Sequence, residues 1–320
     1  MKTALILISV FLLVFLLLAL VFGGICFYSA CDRKARLIRR LFHKNEPRIF
    51  GCHFDQVLDG QKRLSLLPGE EVFIQSKDGL KLHGRLLHGK NASRTLLCVH
   101  GYRATPFHDF GAATDILLSF GNLLLIDQRA HSQSEGRYIT YGVRESEDCC
   151  QWAEWLLSKK GAEHPVYLDG ISMGATTVLM AAPRLPHNVR GIIADCGFTS
   201  PYDMMKDITR RYFFLPQPLL LFTVDLFCRR IARFSLREKS TLSAMAENSL
   251  PVLFVHGTAD SLVPVHMTEE AYNACHSPKK LLLCENAEHG MSFFAKQDQY
   301  LAAMNKLFSD CEKERKEGIE

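Results

Sequence analysis

Short apolar segments alternate with longer segments of helical periodicity along most of the chain. The apolar segments, in chain order, are EVFIQS, LKLHGRLL, TLLCVHG, NLLLIDQ, PVYLDG, VRGIIADC, PVLFVHG and KKLLLCEN. Apolar runs of this length between turn residues predict strands, and Asp78-Gly79 between the first two predicts a hairpin. Alternation of strands with helices predicts an α/β fold, with a mainly parallel eight-stranded sheet that helices cover on both faces.

The segment between the sixth and seventh predicted strands, about residues 199–250, breaks this alternation. It contains the apolar stretch RRYFFLPQPLLLFTVDLFCRR, which Pro216, Pro218 and Asp225 interrupt. The stretch is too short and too interrupted to span a membrane. We expect a helical cap over one edge of the sheet, with apolar side chains that line a pocket, contact a bilayer or pack on the core.

The N-terminus carries the longest apolar run, without a charged residue from Thr3 to Ala30. A helix needs about 20 apolar residues to cross a bilayer, whereas the core of a cleavable signal has roughly 7–15. The run therefore predicts a transmembrane anchor at residues 1–30. A long signal peptide is the alternative, and a lipoprotein signal ending before Cys31 is a special case that Tyr28 fits poorly.

The charges beside this run predict the orientation of the anchor. Only Lys2 and the terminal amine precede it, whereas many basic residues follow: Arg33, Lys34, Arg36, Arg39, Arg40, Lys44 and Arg48. Because the side richer in Lys and Arg faces the cytoplasm, we expect a single-pass protein of the cell membrane with a cytoplasmic main domain.

These patterns divide the chain into an anchor at 1–30, a basic juxtamembrane linker at 31–69 and a main domain at 70–320. Residues 31–50 have the pattern of an amphipathic helix, which would lie on anionic lipid; a solvated basic linker is the alternative. The apolar face of this helix comprises Leu37, Ile38, Leu41 and Phe42.

Composition excludes several classes of protein. The 320 residues are 48% hydrophobic and 22% charged, with a formal net charge of only +4, and no run of basic and aromatic residues in the main domain suggests a nucleic-acid partner. The eleven cysteines are an odd number, and Cys98, Cys196 and Cys284 lie in predicted strands. They favour a reducing compartment over a disulfide framework, and none of their spacings suggests a metal site.

The sequence GISMG, residues 170–174, places Ser172 between two glycines where a predicted strand meets a predicted helix. This is the pattern of a nucleophile elbow, a turn so tight that its neighbouring residues must be very small. The amides at the N-terminus of the following helix favour developing negative charge. Ser172 is therefore the candidate nucleophile.

A nucleophilic serine needs a base and a group that orients the base. After an elbow of this kind the acid and then the histidine follow on loops at the ends of strands. Asp260 follows the seventh predicted strand and His289 the eighth. Asp195 is an alternative acid, while Glu288 is a poor candidate because adjacent side chains rarely orient one another. Structural roles are expected for the histidines beside other turns, His100, His131 and His256.

An oxyanion hole requires two donors. We expect the amide of Met173, directly after the nucleophile, and the amide of Tyr102, on the loop after the third strand. The Tyr102 ring would either line the acyl pocket or pack beside the cap. The predicted substrate pocket comprises Tyr102, Phe198, Met204 and Phe213.

Five motifs together cover nearly the whole main domain. They are HGY at 100–102, DQRAHSQSEG at 127–136, GISMG at 170–174, HGTADSLVP at 256–264 and AEHG at 287–290. In this order they resemble the α/β-hydrolase superfamily of esterases, lipases and serine peptidases, and they are similar to bacterial, often membrane-anchored hydrolases and to carboxylesterases such as feruloyl esterases. Relatives usually carry Asp-x-Arg-Gly-x-Gly-x-Ser after the fourth strand, whereas Ala130 and Ser132 replace the glycines here.

The resemblance implies an α/β-hydrolase fold and a serine hydrolase that forms an acyl-enzyme without a metal or organic cofactor. The apolar cap and the anchor favour a carboxylic ester with an apolar acyl group, or a lipid-like ester. A serine peptidase or aminopeptidase on the same fold is the alternative. A non-catalytic membrane scaffold is a further one.

Overall fold

The computed structural model describes residues 1–35, 51–90, 92–212 and 216–316. One sheet contains eight strands in the order β1-β2-β4-β3-β5-β6-β7-β8. Their bounds are β1 Glu70–Gln75, β2 Lys81–Leu87, β3 Thr95–Val99, β4 Asn122–Ile126, β5 Val166–Ile171, β6 Val189–Asp195, β7 Val252–Gly257 and β8 Lys279–Cys284. β2 pairs antiparallel with β1 and β4, and the other pairs are parallel. The predicted mainly parallel sheet is confirmed.

Helices cover both faces of this sheet. Their bounds are α1 Lys2–Cys31, α2 Phe54–Leu66, α3 Pro106–Phe110, α4 Thr114–Phe120, α5 Glu145–Lys160, α6 Met173–Ala181, α7 Pro201–Tyr212, α8 Gln217–Phe227, α9 Thr241–Ala246, α10 Val265–Ala274, α11 Ser292–Ala295 and α12 Gln297–Lys316. Side chains alternate between the two faces of a strand. On β5, Leu168 accordingly belongs to the same core cluster as Trp152 of α5, whereas the ring of Tyr167 packs against Phe308 of α12.

Parallel pairing places the carboxyl ends of the central strands at one edge of the sheet. Val99 at the end of β3 pairs with Gly170 of β5, and Ile171 pairs with Asp195 at the end of β6. The loops that follow these strands therefore meet at this edge, which is where ligands bind in open α/β sheets.

The insertion between β6 and β7 forms the expected helical cap from α7, α8 and α9. Its buried apolar residues, among them Met204 and Leu220, join one cluster with Met173 of α6. The cap therefore covers the helix that begins at the candidate nucleophile.

The N-terminal helix α1 is long and apolar enough to cross a membrane, and its C-terminal third packs against the cap. A Cβ on Gly23 would lie 2.2 Å from Oγ1 of Thr223 on α8, so only glycine permits this approach. One turn later the ring of Phe27 stacks on Phe227, with ring centroids 6.0 Å apart. The most apolar stretch of α1 itself is not buried against the rest of the described chain.

Hydrogen bonds attach the last residue of α1 and the residues after it to the loop that follows β4. The Ile139 amide donates to the Cys31 carbonyl at 2.7 Å, and the Arg33 amide donates to the Arg137 carbonyl at 2.9 Å. The Arg33 guanidinium donates to the carbonyls of Ser132 and Ser134. The start of the region that the sequence places in a linker is therefore integrated into the globular domain.

The rest of that region is described only in part. Helix α2 buries Val57, Gly60 and Leu64 against the domain, and Leu64 belongs to the core beneath the sheet. The predicted amphipathic helix at 31–50 lies for the most part outside the described residues, since 36–50 are not among them.

Candidate active site

Ser172 occupies the sharp turn between β5 and α6, with φ 57° and ψ −118°. A non-glycine residue rarely adopts positive φ, and here the turn lifts the side chain away from the sheet. Both flanking glycines face backbone: a Cβ on Gly174 would lie 1.9 Å from the Val99 carbonyl oxygen, and one on Gly170 would lie 2.4 Å from the Gly174 oxygen. Close backbone packing is thus the reason for both glycines.

Three of the predicted residues form one hydrogen-bonded series. Nε2 of His289 lies 2.8 Å from Oγ of Ser172, and Nδ1 of His289 lies 2.7 Å from Oδ2 of Asp260. In the neutral imidazole that donates Nδ1–H to the carboxylate, Nε2 accepts from the hydroxyl. This is the geometry that activates a serine for nucleophilic attack.

The Asp260 carboxylate is fully buried and held by several donors. Oδ1 accepts from the amides of Leu262 and Val263, and Oδ2 lies 3.1 Å from Nε2 of His256. His256 was expected to be only a structural residue. Its ring therefore also contacts the acid of the series, a contact that the local sequence pattern does not indicate.

The competing acids lie elsewhere. Asp195 accepts from the hydroxyl of Ser292 at 2.8 Å, and Glu288 accepts from the hydroxyl of Ser261. Neither forms a hydrogen bond with His289 among the described residues.

The two partners of the histidine–acid pair shift each other's pKa. Burial by itself lowers the pKa of His289, but the charge of Asp260 and its hydrogen bond raise it above the ordinary value of 6.5. Burial raises the pKa of Asp260, whereas His289 and His256 together lower it well below its usual range. The acid therefore stays ionised, and the imidazole becomes protonated at a higher pH than an ordinary histidine does.

A general base must be neutral to accept a proton, so activity should follow the titration of His289. We expect kcat/KM to fall on the acid side with an apparent pKa above 6.5. In Asp260→Asn the charge that raises the pKa of His289 most is lost while burial remains, so the acid limb of the profile should move to lower pH and the rate should fall by roughly 10⁴-fold. The pH profile of ester or amide turnover measures both effects.

Asp195→Asn is the matched control, since the side chain is buried, contributes less to the pKa of His289 and bonds Ser292 instead. The rate of Asp195→Asn should stay within about tenfold of the wild-type rate. A loss of several orders of magnitude is expected only when the acid of the triad is removed. A larger loss in Asp195→Asn than in Asp260→Asn would reverse the assignment of the acid.

The loop after β3 lies directly beside the nucleophile. A Cβ on Gly101 would be 3.3 Å from Cβ of Ser172. The Gly101 amide donates to Oδ2 of Asp109 at 2.6 Å, and the Arg103 amide donates to Nε2 of His131 at 3.0 Å. These bonds fix the backbone on either side of Tyr102, and the roles of Asp109 and His131 depend on contacts that sequence spacing does not reveal.

The same loop also binds the C-terminus of α1. The Tyr102 hydroxyl donates to the Ala30 carbonyl at 2.8 Å. The Arg103 guanidinium donates to the carbonyls of Ser29 and Asp32. The partial negative charge at the C-terminus of a helix stabilises a guanidinium placed there. These contacts therefore hold α1 and the loop beside Ser172 together.

Of the predicted pocket residues, three lie together. Phe198 and Met204 are buried in one cluster with Met173, and Tyr102 packs against it. The Tyr102 ring stacks on Tyr141 with centroids 5.2 Å apart. The fourth predicted residue, Phe213, lies outside the described residues.

The two positions of the loop after β4 that differ from the pattern of the resembled superfamily have left-handed backbone: Ala130 has φ 61° and Ser132 has φ 39°. Glycine adopts such angles without a steric penalty, which explains why relatives have it there. Hydrogen bonds compensate here, since the Ala130 amide donates to the Glu135 carbonyl and the Ser132 carbonyl accepts from Arg33.

The sequence profile of the prolyl oligopeptidase family, Peptidase S9, matches residues 134–314, more than half of the chain. YqkD, an uncharacterized protein of Bacillus subtilis (strain 168), is 30% identical over 229 residues, which cover 71% of this chain and 75% of YqkD.

Solved structures share the fold. The esterase Pf2001 of Pyrococcus furiosus superposes with a TM-score of 0.62 at 23% identity, covering 78% of this chain and 94% of the esterase. An esterase of Exiguobacterium antarcticum superposes with a TM-score of 0.53 at 18% identity, covering 76% of this chain and 100% of the esterase.

Proposed function

The chain belongs to the prolyl oligopeptidase family and is a serine hydrolase of the α/β-hydrolase fold, and from this premise we propose that it cleaves carboxylic esters with an apolar acyl group. The observation that carries the proposal is the hydrogen-bonded series Asp260–His289–Ser172 at the carboxyl edge of the sheet. The apolar cluster of Met173, Phe198 and Met204 next to it favours an apolar acyl group.

In the proposed mechanism His289 takes the proton of Ser172 as Oγ attacks the ester carbonyl. The amides of Met173 and Tyr102 stabilise the oxyanion. The C–O bond to the leaving alcohol breaks, and His289 returns the proton to that alcohol. Water, deprotonated by His289, then hydrolyses the acyl-enzyme, while Asp260 stabilises the imidazolium in both steps.

A peptidase activity is the second candidate, because the matching family profile is that of prolyl oligopeptidases. A site that cleaves at free N-termini would need a carboxylate for the substrate amine. The three aspartates of the cap already have partners: Asp203 bonds Ser200, Asp207 pairs with Arg211, and Asp225 pairs with Arg229. These pairings favour the ester reaction over an aminopeptidase reaction.

We also propose that α1 anchors the enzyme in the cell membrane as a single span. Its length and apolar composition support a span, and the excess of basic residues after it supports a cytoplasmic domain. Protease digestion of intact and opened cells tests this orientation, because a cytoplasmic domain is cut only after opening.

The test of the activity uses the full-length protein in detergent micelles, with p-nitrophenyl butyrate and a prolyl p-nitroanilide as matched chromogenic substrates. We expect kcat/KM for the ester to exceed that for the anilide by more than about 100-fold, after subtraction of the uncatalysed rates. A fluorophosphonate should label the wild type and not Ser172→Ala. Faster turnover of the anilide would assign the peptidase function instead, and absence of both turnover and labelling would contradict a serine hydrolase.

A further inference from the structure

An apolar groove of about 370 Å³ lies between α1 and the cap helix α8. Phe15, Leu18, Ala19 and Phe22 line one wall, and Leu219 and Leu220 line the other. Ligand pockets typically measure about 300–1,000 Å³, so the groove has the volume of a small-molecule site. The α1 residues that line it extend from Phe15 to Ile25, about 15 Å along the helix.

The surroundings of the groove determine the chemistry of its occupant. Its α1 wall belongs to the proposed membrane span, and Leu18 on this wall is 63% exposed. Neither wall offers a charged side chain. The hydrocarbon core of a bilayer contains no water to fill such a groove. Lipid acyl chains are the ligands available there.

A cluster of packed apolar side chains connects one wall of the groove with the residue that follows the candidate nucleophile. Leu220 lines the groove and is also a buried member of the cluster that contains Met204, Phe198 and Met173. Met173 is the residue after Ser172. Methionine is unbranched and flexible, so Met204 and Met173 are side chains that can repack around a bound chain.

We propose that this groove binds the acyl chain of a membrane-resident lipid ester, which enters sideways from the bilayer with its carbonyl toward Ser172. This proposal rests on the proposed ester hydrolase function and membrane anchor. It explains why α1 packs into the domain instead of ending in a tether: α1 forms one wall of the substrate site. It also predicts a preference for long acyl chains.

The experiment fills the groove without touching the catalytic residues. Ala19→Phe places a ring in the groove from α1, and Leu219→Trp fills it from α8. Ala4→Phe is the matched control, because the same exchange occurs on the same helix at an exposed position outside the groove. Each full-length variant is assayed in phosphatidylcholine–phosphatidylglycerol vesicles with p-nitrophenyl butyrate and p-nitrophenyl palmitate.

We expect Ala19→Phe and Leu219→Trp to lower kcat/KM for the palmitate ester at least tenfold and to leave the butyrate value within twofold. Ala4→Phe should change neither. The groove proposal would be overturned if palmitate turnover were unchanged in both groove variants, or if both variants lost activity equally on the two esters. In either case, butyrate hydrolysis that depends on Ser172 would still support the proposed function. A wild type that hydrolyses neither ester would overturn the proposed function and this inference with it.

Discussion

Ser172→Ala should lower kcat by about five orders of magnitude, equivalent to roughly 7 kcal/mol of transition-state stabilisation. The hydroxyl is the atom that forms the acyl-enzyme, and Nε2 of His289 lies 2.8 Å from it. Alanine retains the Cβ, so the strained φ of 57° is unchanged and the fold should persist. Steady-state kinetics and the thermal midpoint of the purified variant separate these two effects.

Ser292→Ala is the matched control for this loss. Ser292 is also a buried serine near the site, but its hydroxyl donates to Asp195 and not to His289. Removal of one such hydrogen bond costs about 1 kcal/mol of stability, and turnover should stay within about tenfold. If both variants lost activity equally, Ser172 would not be the nucleophile.

Gly174→Ala should destabilise the protein by more than about 3 kcal/mol, because the new methyl group meets backbone rather than a movable side chain. Its Cβ would lie 1.9 Å from the Val99 carbonyl oxygen in the central strand β3 and 2.8 Å from the His100 carbonyl oxygen. Relief requires α6 to move away from the sheet, which also displaces Ser172. Urea unfolding with activity measured in parallel tests both consequences.

Gly191→Ala serves as the control, since glycine is replaced by alanine in β6, another strand of the same sheet. There the nearest atoms would be 3.4 Å from the new Cβ, an ordinary van der Waals distance. The unfolding midpoint should change little, because substitutions without a clash are usually small in effect. Equal stability of Gly174→Ala and Gly191→Ala would contradict the close packing of α6 on β3.

The features that could be predicted from the sequence are those that leave a pattern in neighbouring residues. Short apolar runs between turn residues identified every strand of the sheet, because the burial of a strand makes successive residues apolar. Ser172, Asp260 and His289 were predictable because parallel strands bring their following loops to one edge. The glycines of GISMG were identified from the tightness of the turn, and the structure names the backbone atoms they approach.

Other site features have no local signature. Asp109 binds the Gly101 amide and His256 binds Asp260, yet Asp109 lies in the short helix α3 and His256 in β7, where the local pattern does not indicate either contact. Likewise nothing in Arg103 or Tyr102 indicates that they bind carbonyls at the end of α1, more than 70 positions earlier. Such contacts depend on the tertiary arrangement, since a hydrogen bond imposes no pattern on the residues between its partners.

The amino-acid sequence by itself determined the fold class, the order of the strands along the chain, the apolar N-terminal helix and the three residues of the hydrogen-bonded series. Only the tertiary structure decided that α1 packs into the domain, that its end joins the loop beside Ser172, and that a groove separates it from the cap. The physical reason is that burial and helix or strand periodicity are written in neighbouring residues. The packing of two distant apolar segments depends on the shapes of their surfaces, and the sequence of each segment does not show those shapes.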